Sequence, residues 1–222
     1  TAADTLTGSA AMNYTITQPT GLRANITAKT LTVTGSTAVD KVYDGSLTAT
    51  ISGGSLVGVV GTDDVSLNQA GSFSQTNVGL NLVVTAANTL SGAAAGNYTI
   101  TQPTGLTANI TAKTLTVTGT TVANKIYDGT NTATVTGGHL VGVVGTDDVS
   151  LNQAGNFSQT NVGLNLAVTA ANTLSGIAAG NYTITQPTGL TANITAKTLT
   201  VTGTTVANKV YDGSNTATLT GT

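Results

Sequence analysis

The chain of 222 residues contains no cysteine, no tryptophan and a single histidine, and all nine of its acidic residues are aspartate. Without cysteine there is no disulfide stapling and no thiol chemistry, although this alone selects no compartment. There is no Ser-His-Asp set, Cys-His pair, phosphate-cradling loop or pair of glutamates, so the sequence does not read as an enzyme. It nominates no catalytic, cofactor-binding or metal site residue. Only 7% of residues are charged and the net charge is −2, so a basic footprint for nucleic acid is missing. No run of about 18 apolar residues is present to suggest a membrane span. Thr, Asn, Ser and Gly supply the polarity. Strand-forming Thr, Val and Ile are abundant while helix-favouring composition is scarce, which predicts an all-β chain.

What the chain does have is repetition. Lys41-Val-Tyr-Asp-Gly45 returns as Lys125-Ile-Tyr-Asp-Gly129 and as Lys209-Val-Tyr-Asp-Gly213, at a spacing of 84 residues. Pro19, Pro103 and Pro187 keep the same interval. A fixed period of this kind marks a tandem array. The expected division is residues 1–28 as the tail of a preceding repeat, 29–112 and 113–196 as complete repeats, and 197–222 as the start of a following one. The two complete copies are identical at 71 of 84 positions. Val42/Ile126, Ile51/Val135 and Val83/Ala167 exchange apolar groups, as a core tolerates. Ser36/Thr120, Ser46/Thr130 and Ser72/Asn156 exchange small polar ones. Such near-copies point to a function served by number and length.

In each copy, short strands alternate with turn residues. For the first copy they are expected at 30–34, 40–43, 48–52, 64–68, 72–76, 80–85, 97–102 and 105–111. In Thr30-Leu31-Thr32-Val33-Thr34 the apolar residues point one way and the threonines the other, giving one buried face and one wet face. Many short strands with close turn signals predict a β-sandwich. An immunoglobulin-like order is the first choice, with another small β fold such as a β-grasp kept open. Leu106, Ala108, Ile110 and Ala112 hold even positions whereas Leu115 and Val117 hold odd ones. The inward face therefore flips at Lys113-Thr114, where one core should end and the next begin. No flexible linker lies there, so stiff repeats joined end to end are expected.

Taken in order, AKTLTVTG, KVYDG, GVVGTDDVSL, NVG and AGNYTITQPTGLTANIT closely resemble the YDG domain, and the resemblance spans essentially the whole chain. That family occurs in tandem in very large bacterial surface proteins, including filamentous-haemagglutinin-like and autotransporter-like adhesins. The resemblance implies an extracellular stalk of mostly β structure. It brings no catalytic residues and no ligand. Secretion across an outer membrane as an unfolded chain would suit the lack of cysteine.

Individual residues have bland readings beside sharper ones. Tyr43-Asp44-Gly45 is expected to be a turn, with Asp-Gly supplying the backbone angles and the ring packed beneath its own loop. Asp63-Asp64 and Asp147-Asp148 raise calcium, but the carboxylates are too few and no DxDxDG loop is present, so an exposed turn opening a strand is preferred. His139 stands where the other copy has Ser55 and reads as a surface substitution. Arg23 and Met12, opposite Thr107 and Gly96, read likewise. Lys41 and Lys125 raise a Lys–Asn isopeptide bond, against a snorkelling lysine that blunts an edge strand. Asn-x-Ser/Thr sequons lie at Asn13, Asn25, Asn97, Asn109, Asn156, Asn181 and Asn193. A threonine ladder for ice needs a shorter repeat than this one.

The expected function is a structural stalk or spacer on a bacterial surface, whose partners are the neighbouring repeats of the same chain. The alternatives are a weak carbohydrate- or matrix-binding module acting through avidity, or a self-associating filament subunit. No cofactor is expected.

Overall fold

The structure is a computed structural model, and it describes residues 3–221. The chain divides into two compact units. One comprises the chain up to Val39 with Thr48–Ser74 and Val83–Thr107; the other comprises Asp40–Leu47, Gln75–Leu82 and the chain from Ala108 onward.

The second unit holds a complete copy of the repeat. Its longest N-terminal strand, Lys113–Thr118, follows the alternation of KTLTVT: Leu115 and Val117 are buried while the threonines are exposed. This strand lies at the centre of a three-stranded sheet. It runs antiparallel to His139–Val141 and parallel to Tyr182–Thr185. A five-stranded sheet has the order Lys125–Ile126, Thr191–Thr195, Gly163–Ala170, Gly155–Phe157, Thr132–Ala133. Two short ribbons complete the copy, Thr121–Val122 with Val135–Thr136 and Ser150–Asn152 with Thr173–Ser175.

The core of this copy gathers Ala133, Val135, Phe157, Val168, Ala192 and Ile194, with Val122, Leu166 and Leu190 packed against them. Each large apolar side chain removed from water in this way contributes about 1.5–3 kcal/mol. Register slips between Gly163 and Leu166, where Asn165 adopts a φ of 50°. Asparagine tolerates that left-handed backbone, and its N–H is held by the Asn193 side chain at 2.7 Å.

The first unit repeats the pattern 84 residues earlier. Lys29–Thr34 runs parallel to Tyr98–Thr101 and antiparallel to Ser55–Val57. Thr37–Ala38 pairs with Ile51–Ser52, and Ser66–Asn68 with Thr89–Ser91. Gly71–Phe73 lies between Thr48–Ala49 and the Val84–Ala86 end of a longer strand. Leu31, Val33, Ala49, Ile51, Phe73, Val84 and Ala86 are buried.

The chain is all-β, as its composition predicts. Its strand order departs from an immunoglobulin-like sandwich, which is built of antiparallel sheets. In the second copy Lys113–Thr118 and Lys125–Ile126 each couple in parallel to a strand near the end of the copy, and the sheets are partly barrel-like. Parallel neighbours need long crossovers, and here nearly the whole repeat serves as one. The expected strand 48–52 splits into Thr48–Ala49 and Ile51–Ser52, which join different sheets. Thr37–Ala38, Ser55–Val57 and Thr89–Ser91 lie outside the expected strands; at two or three residues they are too short to display alternation.

The flanking segments show how far these strands depend on partners. Lys113–Thr118 and Lys197–Thr202 have the same sequence, KTLTVT, yet the second is exposed and forms no strand. Likewise Tyr98–Thr101 is a strand, whereas its copy at 14–17 is not. Propensity is equal in each pair, so pairing and burial decide.

Candidate functional site

The KVYDG stretch makes a turn with its own internal bonding. Asp44 Oδ1 accepts from Lys41 Nζ at 2.7 Å and from the Ser46 N–H at 2.9 Å, and Lys41 Nζ also donates to the Ser46 carbonyl at 2.7 Å. Gly45 sits at a φ of +76°, a region open to glycine. The lysine's hydrogen bond leads the causes that hold the Asp44 carboxyl below the usual carboxylate range. In the second copy the same contact, from Lys125, brings Asp128 down to about 2. The bonding recurs at Lys209, Asp212 and Ser214, in a segment with few strands of its own. The turn is therefore a local product of Lys, Asp, Gly and Ser or Thr.

Its tyrosine is not local. The expectation that the ring packs beneath its own loop is corrected by the second unit, in which Tyr43 belongs with the following copy. Tyr43 is 5% exposed and its hydroxyl donates to Asp147 Oδ2 at 2.8 Å. The edge of its ring meets Tyr182, with centroids 5.4 Å apart and planes at 80°. Tyr182 donates to the same Oδ2 at 2.5 Å and accepts the Val144 N–H at 2.9 Å. Burial, followed by the Asp147 carboxylate, pushes the Tyr43 phenol up to about 12. Burial likewise raises Tyr182.

A second contact lies beside the first. Asn181 Oδ1 accepts the Val78 N–H at 3.0 Å, and Asn181 Nδ2 donates to Asn77 Oδ1 at 3.1 Å. A Cβ built on Gly45 would stand 3.1 Å from Val144 Cγ1, so this glycine serves close approach as well as backbone angle. Two loops of the first copy, around Tyr43 and Asn77, thus clasp Val144, Asp147, Asn181 and Tyr182 of the second.

The other copies act as internal controls. Tyr127 is 39% exposed and Tyr211 92%, and a Cβ on Gly129 or Gly213 would meet nothing within 4 Å. On the opposite half, Asn181 is buried whereas its counterpart Asn97 is exposed. The same residue is covered where its counterpart half is present and bare where it is not.

The remaining candidates have structural roles. Asp63 Oδ2 accepts from Tyr98, and Asp64 Oδ2 accepts the Ala93 N–H at 3.0 Å. The aspartate pair thus anchors a loop, and the strand beyond it begins only at Ser66. Among the described residues, no group of three or more His, Cys, Asp or Glu side chains is arranged to hold a metal ion. Lys125 Nζ bonds Asp128, Thr130 and the Thr132 carbonyl and lies 6.0 Å from the Phe157 ring centre; these are hydrogen-bonding and ring contacts. His139 is exposed on its strand, as are Met12 and Arg23 in the flanking segment. Of the sequons, Asn181 has its amide inside the clasp, and Asn109 Nδ2 donates to Asp40 at 2.9 Å.

With this geometry in view, a comparison with protein families is decisive: the YDG domain model matches residues 27–105 and again 111–189. The chain belongs to the YDG-domain family. No curated protein and no solved structure matches it. In this YDG-domain chain the diagnostic tyrosine of one copy is a contact of the next. Sequence reasoning missed that, although a signal existed. Tyr43, Gly45, Asn77, Val78 and their partners Val144, Asp147, Asn181 and Tyr182 all fall at positions where the two copies are identical.

Proposed function

We propose that the YDG repeats form a structural stalk of an extracellular bacterial surface protein, holding a more distant binding region away from the cell. The Tyr43 clasp carries this reading. The loop that defines the repeat is engaged by the following copy, so the motif's chemistry serves continuity along the array. Several features support it. The charge is low and the clasp is mostly neutral, so salt would weaken it little. Among the described residues no helix is long and apolar enough to cross a membrane. The family resemblance implies surface-exposed tandem arrays.

Small-angle scattering on this chain and on longer arrays tests the reading. A maximum dimension that grows in proportion to repeat number supports a stalk, and compaction as repeats are added refutes it. Titration of the same proteins against bacterial and host polysaccharides provides the counter-test. Saturable binding that strengthens with repeat number would make each repeat a lectin-like module instead.

A further inference from the structure

We propose that the Asp-Gly peptide in each Lys-x-Tyr-Asp-Gly turn is a modification site, open to spontaneous conversion into isoaspartate, and that the lysine three positions earlier holds it closed. Nothing in this depends on the stalk reading. Asp44-Gly45, Asp128-Gly129 and Asp212-Gly213 are the Asp-Gly pairs of the sequence, and no Asn-Gly pair is present. The chain's most labile dipeptide therefore occurs only inside this motif, and always with the lysine.

Glycine after aspartate favours the reaction because it has no Cβ to crowd the attacking nitrogen. The backbone nitrogen of Gly45 bonds to the carboxyl carbon of Asp44. That nitrogen gives up its proton, a carboxyl oxygen leaves as water, and a five-membered imide closes. Water then opens the imide at one of its two carbonyls. One opening restores aspartate; the other routes the main chain through the side chain and lengthens it by a methylene. No oxidant or further reactant is consumed. The neutral acid is the reactive form, since an ionised carboxylate has no hydroxyl to lose. The turn cannot escape by replacing its glycine, because Gly45 and Gly129 sit at φ of +76° and +81°. An added methylene beside Tyr43 would disturb a ring whose hydroxyl is fixed to Asp147.

Every contact on the carboxylate favours its unreactive form. Asp44 Oδ1 accepts from Lys41 Nζ at 2.7 Å and from both the N–H and the hydroxyl of Ser46 at 2.9 Å. Asp128 Oδ1 receives the same set from Lys125 at 2.7 Å and from the N–H and hydroxyl of Thr130 at 2.9 Å. The Ser46/Thr130 exchange keeps the hydroxyl, and the lysine does not change. Each lysine is itself anchored over the site by the carbonyl of residue 46 or 130, at 2.7 and 2.9 Å. Donors of this kind stabilise the carboxylate over the neutral acid. With Asp128 lowered from 3.8 to about 2, the neutral fraction near neutral pH falls roughly 60-fold. The carboxylate is half-exposed, so solvent screening softens that figure. All these contacts lie within five residues and recur in both complete copies, whatever flanks them.

Long incubation of the whole chain in warm, mildly acidic buffer tests this. Peptide mapping with electron-transfer fragmentation tells isoaspartate from aspartate, and the three sites lie in peptides of different sequence. Wild type is expected to isomerise at Asp44 and Asp128 at least about tenfold more slowly than the same chain in concentrated guanidinium chloride, where the turns are lost. Lys125→Gln should speed the reaction at Asp128 about tenfold and leave Asp44 of the same molecule at its wild-type rate. Lys125→Arg, which keeps the charge, should stay close to wild type. The Tyr127 amide donates to the Thr195 carbonyl at 2.8 Å, and its protection from exchange verifies that the strand before the turn remains paired in both variants. An unchanged rate at Asp128 in Lys125→Gln overturns the proposal. So does an equal rise in Lys125→Arg, or a folded wild type that isomerises as fast as the unfolded chain. The last comparison needs no variant, so a turn lost in Lys125→Gln does not shield the proposal from refutation.

Discussion

Replacing Tyr43 by Phe deletes one hydroxyl and keeps the ring against Tyr182. The lost bond donates to a carboxylate, a class worth about 1.5–3 kcal/mol in protein interiors. Asp147 retains the bond from Tyr182, so it is not stranded without a donor. A cost of about 2 kcal/mol is therefore expected for the clasp, rising to roughly 3–5 kcal/mol for Tyr43→Ala, which also removes a buried ring. Tyr127→Phe makes the same chemical change on a half-exposed side chain and should cost no more than about 0.5 kcal/mol. A chain of two units need not unfold in one step, so a local assay is preferable to a melting curve. Amide hydrogen exchange at Val78 suits the purpose, because its N–H is bonded to Asn181 across the joint. At about 1.4 kcal/mol per factor of ten, Tyr43→Phe should speed exchange there roughly 30-fold, with Tyr127→Phe leaving it unchanged. Equal effects from the two substitutions, or no effect from Tyr43→Phe, would refute the idea that the joint depends on this tyrosine.

Further expectations concern the turn, the pH response and the flanks. Gly129→Ala should cost about 1–2 kcal/mol through its left-handed backbone alone, and Gly45→Ala about 1 kcal/mol more because the methyl meets Val144; urea titration of each variant measures the difference. The folded Tyr43 phenol keeps its proton to about pH 12, whereas the unfolded one ionises near 10. Its contribution is thus complete below pH 10 and declines as pH rises toward 12, at about 1.4 kcal/mol per pH unit. Stability measured across that window should fall less steeply in Tyr43→Phe than in wild type. Lys125→Gln should return the Asp128 carboxyl from about 2 toward its ordinary value near 3.8, as read by carboxyl-carbon NMR titration. The amides of the Lys113–Thr118 strand should be protected from exchange, and those of the identical segment 197–202 should exchange freely. Equal protection in the two would show that KTLTVT folds without its partners.

Much of this fold was legible in the sequence because its signals are local. Alternation in KTLTVT placed Leu115 and Val117 in a core, and Asp-Gly at 44–45 announced a turn with a positive φ. Ile110 and Leu115, on either side of the phase change, are both buried, but the compact units divide earlier, between Thr107 and Ala108, so both residues fall in the second unit. What escaped notice depends on partners far along the chain. The parallel coupling of Lys113–Thr118 to Tyr182–Thr185 joins segments 69 residues apart, and no alternation within either strand encodes which neighbour it takes. Thr89–Ser91 is too short to carry a period, and it forms a strand because Ser66–Asn68 lies beside it. The clasp was hidden for a related reason. A tyrosine with a polar tip looks the same whether it braces its own loop or reaches 104 positions onward to Asp147.

The clasp also bears on how such arrays change in length. Every copy encodes both a plug, around Tyr43 or Tyr127, and a socket, around Asp63 or Asp147, a fixed distance apart. Duplication of any 84-residue window, wherever its ends fall, therefore adds one plug and one socket in the correct phase. Deletion of such a window removes one of each. Exchange between such near-identical copies leaves each remaining joint matched. The number of repeats can then change without redesigning an interface.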